Sequence, residues 1–142
     1  MTKTKAQQIM AATEARAADD VTAAIQDIAT EFEPYIIKQR RHFHKHPELS
    51  LAEERTTSDI ANQLDAMNIP YERPLKTGLV ATLRGTAPDA YREDGTPRRR
   101  ILLRADIDAL PVHEETGLPF ASETEGIMHA CGHDLHTTML LG

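Results

Sequence analysis

A short apolar run that leads directly into clustered carboxylates is the feature that most constrains this sequence. Residues 101–103 (Ile-Leu-Leu) are followed by residues 104–111 (Arg-Ala-Asp-Ile-Asp-Ala-Leu-Pro). An uninterrupted apolar run of this kind is typical of a buried strand. Folds of the α/β class place their chemistry at the exits of such strands. We therefore expect Asp106 and Asp108 to lie at a functional edge of an α/β domain.

Two amphipathic segments ahead of this run are predicted to be helices. Apolar residues at steps of three and four mark the first one: Val21, Ile25, Ile28, Phe32, Tyr35 and Ile36. Pro34 interrupts it, so we expect either a kink or two helices that meet there. The second helix is predicted to begin at a capping-box pattern, Ser50 followed by Glu53, and to end near Asn68 and Pro70.

The remaining segments complete the pattern of an α/β domain. Short β-type runs occupy residues 71–75 and 79–83, and residues 137–141 resemble the first turns of a helix. The order helix, helix, strand, strand, strand, helix predicts an α/β domain that is cut off part-way. Residues 1–16 are polar and rich in alanine, so we expect them to be disordered or frayed and residues 17–142 to form the domain.

Charge and composition exclude several classes of partner. The 142 residues include 16 basic and 22 acidic side chains, which gives a formal net charge of −6. Nucleic acids and anionic membranes attract basic surfaces, so we expect neither as a partner. No apolar stretch is long enough for a transmembrane helix, and charged residues interrupt the region where a signal peptide would lie. Because Cys131 is the single cysteine, we expect no intrachain disulfide and a cytoplasmic protein.

A dense group of metal-ligating side chains lies near the end of the sequence. Residues 129–136 read His-Ala-Cys-Gly-His-Asp-Leu-His. Thiolate and imidazole suit divalent ions such as zinc, and the glycine between Cys131 and His133 lets both side chains face one ion. Asp106 and Asp108 could then supply oxygen ligands to a second ion or orient a ligating side chain from behind.

The sequence alone leaves other interpretations of these residues open. Cys131 could be a buried thiol beside surface histidines, with no metal bound. It could also be a nucleophile activated by His133 or His129, although a spacing of two residues favours shared ligation over a proton relay. The carboxylates of Asp106 and Asp108 could simply cap the segment that follows the strand.

A second group of histidines lies near the predicted end of the first helix. His42, His44 and His46 alternate along the sequence just before Pro47. All three cannot bind one ion from a single helical face, because residues two apart do not share a face. An imidazolium near a helix carboxyl terminus interacts favourably with the helix dipole, and we favour this role over catalysis for His42 and His46.

Four motifs occur in order along the chain. They are residues 41–49 (Arg-x-x-His-x-x-Pro-Glu-Leu) with 54–56 (Glu-Arg-Thr), residues 77–81 (Thr-Gly-Leu-Val-Ala) with Gly85, residues 104–111, and residues 129–134. Together they resemble the motifs of the aminoacylase, hippurate-hydrolase and auxin-conjugate hydrolase family of amidohydrolases. The third is similar to the strand-end motif of that family and the fourth to its metal loop. The resemblance covers about residues 35–142.

The resemblance implies a metallohydrolase with an α/β catalytic domain of the zinc-peptidase (phosphorylase/hydrolase-like) type and a smaller lid and dimerisation domain. In this family two divalent ions (Zn²⁺, Mn²⁺ or Co²⁺) activate a bridging water that attacks an amide carbonyl, and a glutamate acts as general base. Residue by residue, Cys131 and His133 match the first two metal ligands, and Asp108 matches a position behind a ligand. Asp106 stands where related carboxypeptidases have a ligating histidine, which indicates the amidohydrolase branch.

The resemblance also implies that residues 1–142 are an incomplete catalytic domain. The family's paired glutamates, two further histidine ligands and the lid domain lie downstream, so no catalytic residue is expected in this fragment, which should be inactive. Its unpaired strand edges should make it aggregate or stay partly molten. Leu135 departs from the family, which has a small residue at this position, and we expect only a minor effect on packing.

For the whole enzyme, the resemblance implies hydrolysis of small-molecule N-acyl-L-amino acids, such as N-acetyl or N-benzoyl derivatives, by a homodimer or homotetramer. Two alternatives stay open. One is a dipeptidase or carboxypeptidase of the same superfamily, which a comparison of substrates would separate. The other is a non-catalytic, truncated remnant that serves as an interaction module.

Overall fold

The described part of the chain folds into three helices and a two-stranded sheet, in the order α1 (Lys5–Lys45), α2 (Glu54–Ala66), β1 (Tyr71–Glu72), β2 (Val80–Ala81) and α3 (His133–Leu141). The structure is a computed structural model that describes the backbone of residues 5–87 and 89–142 and the side chains from residue 20 onward, Pro88 excepted. The chain divides into two compact units, Met1–Ile36 and Ile37–Gly142. None of the helices in the described residues is long and apolar enough to cross a membrane.

Helix α1 confirms the first predicted helix and extends it toward the amino terminus. The helix continues through Pro34, so the alternative of two separate helices is wrong. Residues 5–16, for which we expect fraying, belong to this helix, and their dynamics stay a prediction; residues 1–4 lie outside the described residues. In the first unit, the apolar side chains that suggested an amphipathic helix are exposed: Val21, Ile25, Ile28 and Phe32.

Helix α2 supplies much of the small apolar core of the second unit. Its buried face consists of Thr56, Thr57, Ile60, Ala61 and Leu64. Ile60 and Leu64 pack with Phe43 from the last turns of α1, and partly buried apolar side chains surround them: Ile69, Tyr71, Leu79, Ile107 and Leu141. The predicted second helix is therefore confirmed, because its apolar positions share one face as their spacing required.

The amino terminus of α2 is capped differently from the capping box that the sequence suggests. The helix begins at Glu54, and Glu53 at the N-cap makes no capping hydrogen bond with its side chain. Instead, the Glu48 carboxylate accepts hydrogen bonds from the backbone N–H groups of Arg55 and Thr56, at 3.1 and 2.7 Å. A carboxylate at this end of a helix also interacts favourably with the helix dipole. The predicted role of Ser50 is therefore wrong.

The two short strands form an antiparallel pair in which Tyr71 faces Ala81 and Glu72 faces Val80. Both lie within the β-type runs that the sequence predicts, although each strand is only two residues long. Gly78, in the connection, has a φ of +77°, and its N–H donates to Thr57 Oγ1 at 2.8 Å. This hydrogen bond ties the connection to helix α2.

Residues 101–103 differ from the buried strand that their apolar character predicts. Their side chains are 86%, 88% and 68% exposed, and the sheet in the described residues contains only β1 and β2. An apolar strand becomes buried when neighbouring strands pair with it and helices cover both faces. The described residues of the second unit do not provide those neighbours, so the run lies open to solvent. The expectation of a buried strand at this position is therefore wrong for residues 1–142.

This exposed run generates a prediction about solubility. Replacing both Leu102 and Leu103 with Thr should raise the soluble concentration of chain 1–142 and leave its helix content unchanged, because the two side chains contribute exposed apolar surface and little packing. Light scattering and far-UV circular dichroism measure the two quantities. As a control, Leu64→Ala removes a side chain that is 6% exposed and should destabilise the chain by about 2–5 kcal/mol. Unchanged aggregation of the double variant would contradict the prediction.

Candidate metal centre

Backbone hydrogen bonds position the two segments that carry the predicted site residues. The Ala109 N–H donates to the Glu48 carbonyl at 2.8 Å, and Leu110 and Met128 exchange a pair of hydrogen bonds at 3.0 Å. The segment that follows residues 101–103 is thereby held between the loop after α1 and the stretch that leads into α3. As a result, Asp106 and Asp108 lie beside His133 and His136 at the start of α3.

His133 and Asp108 form the central contact of the site. His133 Nδ1 lies 2.9 Å from Asp108 Oδ1 and 3.0 Å from the Asp108 carbonyl oxygen. Both neighbours are acceptors, so Nδ1 carries a hydrogen, and Nε2 is the ring nitrogen left available to a metal ion. A histidine held in this way by a carboxylate presents Nε2 to a metal ion in a fixed orientation. Asp108 thus contacts the side of the His133 ring opposite Nε2, and its predicted role behind a metal ligand stays a prediction.

Three side chains come together at this edge with ligand atoms that could hold one ion. Atoms of Asp106, His133 and His136 all lie within 4.8 Å of one another. Two imidazoles and one carboxylate form a donor set that suits zinc and other first-row divalent ions. The contact of His133 Nδ1 with Asp108 makes the fit more specific, because it fixes the orientation of the ring. Within the described residues, these three are the one group of His, Cys, Asp or Glu side chains whose ligand atoms lie this close together.

Asp106 and Cys131 differ from their predicted places at the site. Asp106, expected behind a ligand, offers a carboxylate oxygen to the group itself, and it also pairs with the exposed guanidinium of Arg104. Cys131, expected as a ligand, is an exposed free thiol outside the three-residue group. Gly132 separates it from His133 and has a φ of +88°, a conformation that side chains with a Cβ rarely adopt. Ligation by Cys131 stays a prediction.

A buried polar cluster lies behind the start of α3. His44, on the last turns of α1, has a side chain that is only 3% exposed. Its Nδ1 lies 2.8 Å from Asp134 Oδ2, and its Nε2 lies 3.1 Å from Glu114 Oε1. Arg40 adds a second cation, with Nε 2.9 Å from the same Asp134 oxygen. The two carboxylates are therefore matched by two basic groups, as buried charges require.

Glu114 is held in its ionised form by hydrogen bonds. Burial raises the pKa of this carboxyl, but the N–H of Ser122, the hydroxyl of Thr116 and the His44 imidazole together hold the pKa below its usual value. The Ser122 N–H donates to Glu114 Oε2 at 2.6 Å. Because Glu114 also contacts His44, it joins the loop after residue 111 to helix α1.

His129 is a buried imidazole that lies near this cluster. It is 4% exposed, and neither ring nitrogen has a hydrogen-bond partner among the described residues. Its ring centre lies 6.5 Å from that of His44. Burial lowers the pKa of His129, and the nearby Asp134 opposes this effect. Burial therefore favours the neutral form of the His129 ring.

The three alternating histidines near the end of α1 have three different partners. His42 Nε2 lies 2.8 Å from Asp59 Oδ2, and His46 Nδ1 lies 3.4 Å from Glu123 Oε2. His44 points into the buried cluster. The geometry agrees with the expectation that these residues cannot share one ion. Of the three, His44 is the one that reaches the segment carrying the candidate metal ligands.

Three residues that the structure brings to the site have no role there in the sequence analysis: His44, Glu114 and His136. His136 belongs to the predicted metal loop, and its spacing of three from His133 places both on one face of a helix, which is a usable signal. His44 belongs to the first motif. Glu114 lies in no motif, and nothing in the local sequence identifies it.

Comparisons with known proteins place these residues in context. Residues 102–142 match the model of peptidase family M20/M25/M40. An uncharacterized hydrolase of Staphylococcus saprophyticus is 49% identical over 112 residues, which are 79% of this chain and 26% of that protein. An uncharacterized hydrolase of Staphylococcus epidermidis is 47% identical over 107 residues, which are 75% of this chain and 25% of that protein.

Two solved structures are similar in fold. A dinuclear metal-binding peptidase of the M20 family from Bacillus subtilis is 43% identical, with a TM-score of 0.68, over 79% of this chain and 30% of that one. An aminohydrolase candidate from methicillin-resistant Staphylococcus aureus is 38% identical, with a TM-score of 0.69, over 81% of this chain and 28% of that one. The chain thus spans about a quarter of the curated relatives it matches. The predicted α/β class, and its incompleteness, are confirmed.

The geometry predicts which side chains hold a divalent ion. His133→Ala and His136→Ala should each weaken Co²⁺ binding by chain 1–142 more than about tenfold, since each removes one of three donors. Titration followed by the visible absorption of Co²⁺ measures the affinity. His113→Ala is the matched control, because His113 is an exposed histidine paired with Glu125 and should leave binding unchanged. Equal affinity of all three variants would contradict the site.

Cys131→Ser tests the ligand that the resemblance adds to this group. If the thiolate binds the ion, the wild-type Co²⁺ complex shows a sulfur-to-metal charge-transfer band, and the variant loses it. A wild-type complex without such a band would limit the site to the histidine and carboxylate donors.

Proposed function

We propose that the whole protein hydrolyses N-acyl-L-amino acids, because residues 102–142 match the model of peptidase family M20/M25/M40 and a similar solved structure is a dinuclear metal-binding peptidase of the M20 family. The bond cleaved is the amide between an acyl group, such as acetyl or benzoyl, and the amino acid. The products are a carboxylic acid and a free amino acid. Because the chain spans about a quarter of its curated relatives, this activity is a proposal for the longer protein.

The observation that carries the proposal is the oriented imidazole of His133 within a three-donor group. Asp108 holds His133 Nδ1 at 2.9 Å, and Asp106 and His136 place their donor atoms within 4.8 Å. A divalent ion bound by such a site polarises a carbonyl and lowers the pKa of a bound water toward neutrality. The residues of this chain would hold and orient the ion. The similar Bacillus subtilis peptidase is described as binding two metal ions, which supports a second ion here.

The identity of residue 106 supports an amidohydrolase over a carboxypeptidase. In the resemblance, related carboxypeptidases have a ligating histidine where this chain has Asp106. A carboxylate brings a negative charge and a harder ligand to the site, which favours ions such as Mn²⁺ or Co²⁺ alongside zinc. The second candidate is a dipeptidase or carboxypeptidase, and the description of the Bacillus subtilis relative as a peptidase favours it.

We further propose that residues 1–142 are inactive by themselves. The general-base glutamate and additional ligands that the resemblance implies are expected downstream. With three donors and no positioned base, this chain could bind an ion without aligning a water and an amide for attack. The remaining expectations also stay proposals: a cytoplasmic enzyme, assembled as a homodimer or homotetramer, that acts on a small molecule.

The experiment begins by reading the coding sequence past the codon for Gly142 and expressing the complete open frame. We expect the complete protein to hydrolyse N-acetyl and N-benzoyl amino acids faster than dipeptides. Removal of metal by a chelator should abolish turnover, and Mn²⁺, Co²⁺ or Zn²⁺ should restore it. Chain 1–142 under the same conditions should show no turnover. Amino-acid release, followed by an amine-specific assay, measures all of these.

A matched pair of variants links this activity to the site. In the complete protein, Asp108→Asn should lower kcat/KM by about 10–100-fold, because the amide holds His133 less firmly. Asp59→Asn removes a carboxylate that holds His42 at the surface and should have no effect. Preference for dipeptides would favour the second candidate, and the absence of any metal-dependent turnover would refute both.

A further inference from the structure

We propose that His44 is a positioning residue for the metal centre. Through Asp134, it fixes the first turn of helix α3, which carries the candidate ligands His133 and His136. The inference rests on the metal site of the proposed function, and it concerns residues that lie behind that site and do not touch the ion. It gives a specific role to the one histidine of the alternating group that has no surface partner.

The first step is the geometry of the His44 side chain. It is buried between two carboxylates, with Nδ1 2.8 Å from Asp134 Oδ2 and Nε2 3.1 Å from Glu114 Oε1. An ionised carboxylate can only accept hydrogen bonds, so the His44 ring is the donor wherever it bonds to an ionised carboxylate. Charge-assisted hydrogen bonds of this type are roughly twice as strong as neutral ones.

Arg40 completes the cluster without competing for this role. Its Nε lies 2.9 Å from Asp134 Oδ2. One guanidinium nitrogen also lies 3.5 Å from His44 Nδ1, but two donors cannot bond each other, so the shorter contacts to the carboxylate define the arrangement. Asp134 Oδ2 therefore lies within hydrogen-bond distance of two basic side chains of α1, Arg40 and His44, and these contacts hold the Asp134 side chain from that side.

The second step is the connection from Asp134 to the ligands. Asp134 is the residue after His133, and its side chain is almost fully buried. Its Oδ1 accepts the Leu135 N–H at 2.9 Å, and its carbonyl accepts the Thr138 hydroxyl at 2.6 Å. A displaced Asp134 would therefore rotate the first turn of α3. His133 and His136 lie on that turn, so their nitrogens would move relative to Asp106.

The third step is that the hydrogen bonds of His133 and Thr137 run to a different part of the chain from those of the Asp134 side chain. Thr137 Oγ1 donates to the Asp106 carbonyl at 3.1 Å, and His133 Nδ1 contacts Asp108. Both of these contacts run to the segment that contains the carboxylates. By contrast, the Asp134 side chain contacts two basic residues of helix α1, of which His44 is the more buried. His44 therefore sets the position of the ligands against the larger part of the second unit.

The test compares His44→Gln with the matched control His42→Gln in chain 1–142. Both residues lie on the same helical segment and contact a carboxylate, but His42 pairs with Asp59 at the surface. We expect His44→Gln to weaken Co²⁺ binding by about 10–100-fold, as is typical for residues that orient metal ligands. His42→Gln should change affinity less than about twofold, since surface pairs contribute little. The visible spectrum of the Co²⁺ complex should change in intensity only for the His44 variant.

A merely structural role would give a different result. His44→Gln would then lower helix content or the melting temperature, while the folded fraction would bind Co²⁺ with the wild-type affinity and spectrum, which would overturn the proposal. If His44→Gln does not fold, Asp134→Asn serves as the second variant, because it keeps the side-chain shape and weakens the contact with His44. Wild-type affinity in folded Asp134→Asn would also overturn it.

The outcome is separable from that of the proposed function. Weak Co²⁺ binding by His44→Gln supports the positioning role whichever substrate the complete protein cleaves. Absence of acyl-amino-acid hydrolysis would refute the proposed function and leave the affinities as they are. A wild-type chain that binds no Co²⁺ would overturn the positioning role, whatever the complete protein does.

Discussion

The second unit of this chain depends on a buried polar contact more than on its apolar core. His44 and Asp134 are 90 positions apart in sequence, and their ring nitrogen and carboxylate oxygen lie 2.8 Å apart. Buried apolar side chains in the cluster beside them number only three: Phe43, Ile60 and Leu64. A core of this size stabilises little by itself, so charged hydrogen bonds carry an unusual share of the long-range order. Such contacts are directional, and they specify the orientation of α3 as well as its proximity.

How far the sequence predicts this structure follows from the range of each interaction. Helices α1 and α2 were predictable because their signal is a local periodicity. The cap of α2 was not, because Glu48 lies outside the helix and displaces the local Ser50 pattern. Residues 101–103 show the same limit, since apolar character predicts burial only when other segments supply the cover. The resemblance places Asp108 behind a metal ligand without saying which one, and both its contact with His133 and the contact of His44 with Asp134 required the folded chain.

Different residues of the site bind the ion and hold the ion-binding side chains in position. One set of side chains, Asp106, His133 and His136, presents lone pairs toward a common point. A second set holds the first turn of α3 in place and does not touch the ion: Arg40, His44, Glu114 and Asp134. Burial favours the neutral form of His129, so this ring adds little positive charge behind the ligands. The ligand set can therefore keep its affinity for a cation without repulsion from behind.

The exposure of residues 101–103 has a consequence for the assembly of such an enzyme. Because this run leads directly into the carboxylates of the site, whatever covers it also restricts the motion of Asp106 and Asp108. The covering of residues 101–103 and the binding of an ion at the site are then thermodynamically linked, so each of them favours the other.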